Sequence, residues 1–146
     1  MDNPLATTRL PETEDLNTGP NTQREYRILV AEDAADSAVP ISLHLQSSGY
    51  QVVIATDGEE AVKIASLTRP DLILMDISMP VLDGLAATRK IREEAASPYI
   101  PIIAISAFST SGFLQAAHDV GFDGYLTKPL DFNRMDELIK TLLRAK

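Results

Sequence analysis

Leu72-Ile73-Leu74-Met75-Asp76 is a run of four apolar residues closed by a carboxylate. A segment this short and this uniformly apolar reads as a strand buried on both faces, the pattern of a parallel sheet. A carboxylate at the end of such a strand is costly unless something uses it. Working outward, three other runs end in chemistry. Ile28-Leu29-Val30-Ala31 leads into the acid pair Glu32-Asp33, Ile102-Ile103-Ala104-Ile105 into the hydroxyl of Ser106, and Tyr125-Leu126-Thr127 into Lys128 and Pro129. An acid pair, an Asp, a Ser and a Lys, each at the C-terminal end of a strand, suit a site that moves a phosphoryl group onto Asp76.

The pattern alternates from Tyr26 onward. Strands are expected at 27–32, 51–55, 71–76, 101–106 and 123–127. Helices are expected at 36–48, 58–68, 84–96, 110–120 and 131–145, with Gly49, Gly58, Pro70, Gly84, Pro101 and Gly121 at the joints. The last helix is the clearest, because Phe132, Met135, Leu138, Ile139, Leu142 and Leu143 recur at three- and four-residue spacing. Five βα units in one short chain predict an α/β fold: a doubly wound five-stranded parallel sheet of flavodoxin-like (βα)5 type, covered by helices on both faces. In the strand order 2-1-3-4-5, strands 1 and 3 meet at the switch point, and ligands bind outside the C-terminal strand ends there. That order would gather Glu32, Asp33 and Asp76, with Ser106 and Lys128 converging from strands 4 and 5.

Bulk properties narrow the function classes. A chain of 146 residues holds one domain. There is no cysteine, which excludes disulfides and thiolate metal sites. A net charge of −8 disfavours direct nucleic-acid binding, since phosphate backbones need a basic face. No signal segment and no run near the ~20 apolar residues of a membrane helix is visible, so a cytoplasmic protein without membrane insertion is expected. Residues 1–24 show no apolar period and hold three of the nine prolines, which predicts a flexible tail ahead of a domain at 25–146. Three carboxylates in one crevice repel one another by about 4 kcal/mol per pair at ~4 Å and an effective dielectric near 20. A cation relieves this, and an all-oxygen site open to water favours a hard divalent ion, Mg²⁺ or Mn²⁺.

The chain from Tyr26 to Lys146 resembles the receiver domain of two-component response regulators, in the stand-alone, chemotaxis-regulator-like form. The stretches that carry the resemblance are Ile28-Leu29-Val30-Ala31-Glu32-Asp33, Asp76-Ile77-Ser78-Met79-Pro80-Val81-Leu82-Asp83-Gly84, Ile105-Ser106-Ala107 and Tyr125-Leu126-Thr127-Lys128-Pro129. The resemblance implies that Asp76 is the phosphoacceptor, supplied by a phosphohistidine on a histidine kinase or a histidine phosphotransfer protein. It implies Mg²⁺ ligation by Asp33, Asp76 and the backbone carbonyl of Ser78, with Glu32 acting through water. Lys128 and Ser106 would stabilise the phosphoryl oxygens, and Ser106 and Tyr125 would form the switch. Ser78 and Phe108 would tune dephosphorylation. The Lys128–Pro129 bond would be cis. Output would leave through the face made by the fourth helical segment, the fifth strand and the last helix, to a partner protein or down a phosphorelay. The same face allows a phosphorylation-linked dimer.

Two features depart from the family pattern. Pro40 falls in or near the first turn of the first helix, the family's docking surface for histidine-bearing helices. Either that helix starts late, capped by Asp36 or Ser37, or it is strained. The segment Ser109-Thr110-Ser111-Gly112 is polar where the fourth helical segment opens, and Phe113 stands where the family often has a polar residue. His44 and His118 lie in helical segments away from the strand ends and read as ordinary helix residues. Two other functions remain open on sequence. A phosphorylation-independent adaptor would be expected to lack a site residue. An Asp-nucleophile phosphohydrolase would need Asp-x-Asp after strand 1, where Asp33-Ala34-Ala35-Asp36 has the wrong spacing. Flavin binding is opposed by the same acidic loop.

Overall fold

The structure, a computed structural model, describes residues 25–79, 81–94, 99–107, 115 and 118–144. Its strands are β1 (Arg27–Ala31), β2 (Gln51–Ala55), β3 (Leu72–Asp76), β4 (Ile102–Ser106) and β5 (Gly124–Thr127). Its helices are α1 (Ala35–Ser47), α2 (Gly58–Thr68), α3 (Gly84–Glu93) and α4 (Phe132–Arg144), the last helix. Gln115 and residues 118–120 are helical too, inside the expected fourth helical segment. The rest of that segment, with Ser109–Gly112 and Phe113, lies outside the described residues, as do Phe108 and residues 1–24.

The sheet runs β2-β1-β3-β4-β5 and is parallel throughout. β3 and β4 are buried along their whole length, whereas the edge strands β2 and β5 are only partly covered. The apolar runs read from sequence are therefore the central strands, where neighbours and helices exclude water on every side. Alternating side chains feed two cores. On one face Ile28, Val30, Leu72, Leu74, Ile103 and Ile105 pack under α1 (Ile41, Leu45) and α4 (Met135, Ile139, Leu143). On the other, Leu29, Ala31, Ile73, Met75 and Ile102 meet the alanines of α2 (Ala61, Ala65) and Ala87 of α3. Small residues on α2 and α3 let those helices lie close to the sheet.

Local chemistry starts two of the helices. Asp57 caps α2 by accepting from the Glu60 N–H at 2.7 Å, while Glu60 reaches back to the Thr56 N–H at 2.6 Å. Asp83 caps α3 through the Ala86 N–H at 2.8 Å. Of the two alternatives left open for α1, the late start capped by Asp36 or Ser37 is not the one it adopts. It begins at Ala35, its N-cap is Ala34 without a side-chain cap, and Pro40 lies inside it. Pro40 has no N–H for the Asp36 carbonyl, so α1 forgoes a rung of its own ladder and leans on Ile41 and Leu45 in the core.

Candidate functional site

Parallel register turns the strand ends into a staircase. Ala31 pairs with Met75, Asp76 with Ile105, and Ser106 with Thr127. One step further along each strand brings Glu32 beside Asp76 and Lys128 beside Ala107. The Lys128 N–H donates to the Ser106 carbonyl at 2.8 Å, and the Ile77 N–H to the Ile105 carbonyl at 3.1 Å. The ladder thus continues through the site and fixes its backbone.

At the centre the Lys128 ammonium bridges two acids, with Nζ 3.0 Å from Asp76 Oδ2 and 3.1 Å from Glu32 Oε1. Both acids are almost wholly buried, Glu32 at 2% exposure and Asp76 at 3%. The other Asp76 oxygen, Oδ1, accepts the Ser78 N–H at 2.9 Å. Glu32 Oε2 accepts the Ala34 N–H at 3.2 Å. Burial pushes the Glu32 carboxyl above the usual carboxylate range, and Asp76 beside it adds to the rise. For Lys128 burial disfavours the charge, but Asp76 and Glu32 outweigh it and hold the ammonium above the ordinary lysine value. The Lys128–Pro129 bond is cis, as the resemblance implied.

Asp33 completes the acidic set. One carboxylate oxygen from each of Glu32, Asp33 and Asp76 lies within 4.8 Å of the others. Asp33 is exposed, so the cluster opens to solvent on one side. The donor set fits a hard divalent cation: it is all oxygen, anionic and open to water ligands. Glu32 Oε1 supports that fit, since it is buried and accepts no well-angled hydrogen bond beyond its ion pair with Lys128.

Ser106 is buried and shares a face of the sheet with Tyr125, which pairs with Ala104 on the neighbouring strand. The Tyr125 phenol is pushed up by burial, against which a side-chain hydrogen bond from Ser106 works. The two residues expected to form a switch therefore touch. Ser78 is exposed beside Asp76, while Phe108 falls outside the described residues.

Sequence reading took Gly84 as a joint and as the end of the stretch from Asp76 that carries the family resemblance, with no role at the site. A Cβ there would sit 2.4 Å from the Asp76 carbonyl oxygen and 2.5 Å from Ile77 Cα, so only glycine lets α3 abut the end of β3. His44 was likewise read as an ordinary helix residue. It is no ligand of the acidic cluster, but it pairs with Asp136 across α1 and α4. Both depend on how separate elements pack, for which one chain carries no periodic signal.

The fold and this site define a receiver of the two-component signalling class. The chain belongs to the response regulator receiver domain family, whose model matches residues 28–140. It is 38% identical over 121 residues to the transcriptional regulatory protein PdtaR of Mycobacterium tuberculosis, covering 80% of this chain and 58% of that protein. To the polar-differentiation response regulator DivK of Brucella anthropi it is 36% identical over 99 residues, covering 68% of this chain and 80% of DivK. The chain spans little more than half the length of PdtaR. Among solved structures it resembles the receiver domain of the sensor histidine kinase PA1611 from Pseudomonas aeruginosa, which carries a magnesium ion in its active-site cleft. There the TM-score is 0.76 at 35% identity, over 82% of this chain and 98% of that one. No helix among the described residues is long and apolar enough to cross a membrane.

Proposed function

We propose that this receiver accepts a phosphoryl group on Asp76 from a phosphohistidine donor and signals through the face around β5. The observation that carries the reading is the Lys128 ammonium held between two buried carboxylates, 3.0 Å from Asp76 and 3.1 Å from Glu32. A carboxylate oxygen of Asp76 forms the bond to phosphorus as the P–N bond of the donor breaks and its electron pair returns to the imidazole. Such a transfer needs positioning and neutralisation of the equatorial oxygens more than covalent help. The Ser78 N–H and Lys128 orient the Asp76 carboxylate, and Lys128 and Ser106 then take phosphoryl oxygens.

Asp33, Asp76 and the Ser78 carbonyl would hold Mg²⁺ directly, with Glu32 through water. When bound, the ion supplies charge neutralisation at the transferring group. By the family pattern Ser78 and Phe108 would tune the later release of phosphate by water. When Ser106 turns to the phosphoryl group it leaves Tyr125, whose ring then resettles and alters the surface of β5, α4 and the fourth helical segment. A histidine kinase or a phosphotransfer protein docks along α1, where Val39 and Leu43 are exposed at 50% and 61%. Beside them lies a groove of about 520 Å³ lined by Asp36, Ser37, Pro40, Ile41, Lys128, Pro129, Leu130 and Phe132.

The test is phosphoryl uptake from acetyl phosphate, read by intact mass on wild type and Asp76→Asn, with Mg²⁺ and with EDTA. A gain of about 80 Da in wild type with Mg²⁺ alone supports the proposal. Equal labelling of Asp76→Asn shows that the nucleophile is another residue. No uptake under any condition favours an adaptor that works without phosphate.

A further inference from the structure

The start of α2 is tied to the backbone on both sides of the acidic crevice. Ala55, the last residue of β2, accepts the Glu32 N–H at 2.9 Å. Thr56 and Asp57 alone separate that bond from Gly58, the first residue of α2, and the reciprocal Asp57 and Glu60 caps hold the start of the helix in place. On its other side Gly58 lies against the connection between β3 and α3. A Cβ at Gly58 would overlap the Leu82 carbonyl oxygen and sit 2.6 Å from the carbon that bears it. Both are backbone atoms, which cannot swing aside as the end of a side chain can. Gly58 is not among the glycines with positive φ, so space rather than conformation requires glycine here. The same connection carries Ser78, whose N–H donates to Asp76 Oδ1 at 2.9 Å. Ile77 and Met79 anchor it in the core, and the Gly84 N–H closes it onto the Ile77 carbonyl at 3.2 Å. Val81 lies in the left-handed region at φ 67°, although it is β-branched and 76% exposed. Neither burial nor backbone preference puts it there, so the contacts on either side impose its conformation.

We propose that Gly58 is a positioning residue for the cation site, setting how close the Ser78 side of the crevice stands to the Glu32–Asp33 side. The inference rests on the cation ligation proposed above. The start of α2 acts as a spacer between the two sides. One backbone link leads from Gly58 through Ala55 to Glu32, and the other passes through Leu82 to the connection that carries Ser78. Glycine makes the shortest spacer, because any side chain must push Leu82 away or drive α2 back. A carbonyl oxygen is favoured at that place, since the N-terminal end of a helix carries partial positive charge. The spacing matters to the choice of ion. Mg²⁺ demands near-octahedral oxygen contacts at about 2.0–2.1 Å, whereas Ca²⁺ accepts about 2.3–2.6 Å in a flexible shell. A wider crevice therefore loses Mg²⁺ before it loses Ca²⁺. Gly84 limits the same connection from its other end, against Asp76 itself, while Gly58 acts through Leu82.

The test is calorimetric titration of the full chain with Mg²⁺ and with Ca²⁺, without phosphodonor, on wild type, Gly58→Ala and Ala65→Gly. Ala65 is buried on the same helix, so Ala65→Gly weakens α2 without adding an atom beside Leu82. Gly58→Ala should raise the Mg²⁺ dissociation constant about tenfold, the lower end of what a lost supporting contact costs a metal site. Its Ca²⁺ constant should rise at least ~3-fold less, and Ala65→Gly should keep the wild-type ratio of the two constants. An Mg²⁺ constant that rises less than ~3-fold, an equal rise for both cations, or the same change of ratio in Ala65→Gly would overturn the role. If Gly58→Ala fails to fold, an NMR titration of wild type with Mg²⁺ decides. The amide signals of Gly58 and Leu82 should move with that of Ser78, and signals that stay still would overturn the role. A wild type that binds no Mg²⁺ overturns the cation reading together with this role. Wild-type binding that Gly58→Ala leaves unaltered overturns this role alone.

Discussion

Replacing Lys128 with Met keeps the length of the stem and removes only the ammonium. Among the described residues that ammonium is the one cation in ion-pair reach of Glu32 and Asp76. Both carboxylates are buried, at 2% and 3% exposure, and would be left facing each other. Breaking a buried pair by removing one partner costs about 3–5 kcal/mol. Protonation sets a ceiling: a Glu with an unfolded pKa near 4.3 that takes up a proton at pH ~7 loses about 3.7 kcal/mol. Asp33 opens the cluster to water, so we expect a loss of about 2–4 kcal/mol in urea denaturation at pH ~7 with EDTA. The sign with pH follows. Burial already holds the Glu32 carboxyl above its ordinary value with Lys128 lowering it, so in the variant it rises further, the folded state binds more protons across that interval and stability falls as pH rises. The penalty should be small near pH ~4 and full above the raised value. Mg²⁺ at about 100 times its dissociation constant should return ~2.7 kcal/mol. A loss below ~0.5 kcal/mol, or one that does not change between pH ~5 and 8, would refute the reasoning, because it would mean the carboxylates are solvated.

Other outcomes test the site and its supports. Lys128→Ala should still take up some phosphoryl group from acetyl phosphate, but the NMR signals of Tyr125 should stay where they are in the unmodified protein. Gly84→Ala places a Cβ 2.4 Å from the Asp76 carbonyl, so α3 must withdraw by about 1 Å, at a cost near 3 kcal/mol in urea denaturation and with impaired phosphoryl uptake. Arg92→Ala removes donors to the carbonyls of Ile100 (2.7 Å) and Gly121 (2.9 Å), an ion pair to Asp123 (2.9 Å), and stacking on Tyr99. That clamp lies at the N-terminal ends of β4 and β5, away from Asp76. Stability should drop by about 2–4 kcal/mol, while phosphoryl uptake by the folded protein should be unchanged.

Strand positions were legible because burial on both faces demands unbroken apolar runs, and every observed strand falls within a residue of its expected bounds. The residues that gather at the strand ends were legible for a related reason. A carboxylate, a hydroxyl and a cation at the ends of buried strands have no place in a core, so they stand out against it. The capping of α1 was less legible than its bounds. Pro40 left open a late, capped start, yet the helix begins at Ala35, one residue from its expected bound, and holds the proline in its interior. Burial of Ile41 and Leu45 against α4 outweighs the local penalty.

The order of apolar runs and the five residues at their ends (Glu32, Asp33, Asp76, Ser106 and Lys128) are properties of the sequence alone, and they imply the parallel sheet and the identity of the acidic crevice. Tertiary structure alone decided that Lys128 spans Asp76 and Glu32, that Ser106 touches Tyr125, that α3 needs Gly84 to reach the strand end, and that His44 meets Asp136. The physical reason is range. Periodicity and residue chemistry act within a few residues and leave a mark on the chain, whereas a contact across 92 positions exists only once two packed helices bring its partners together.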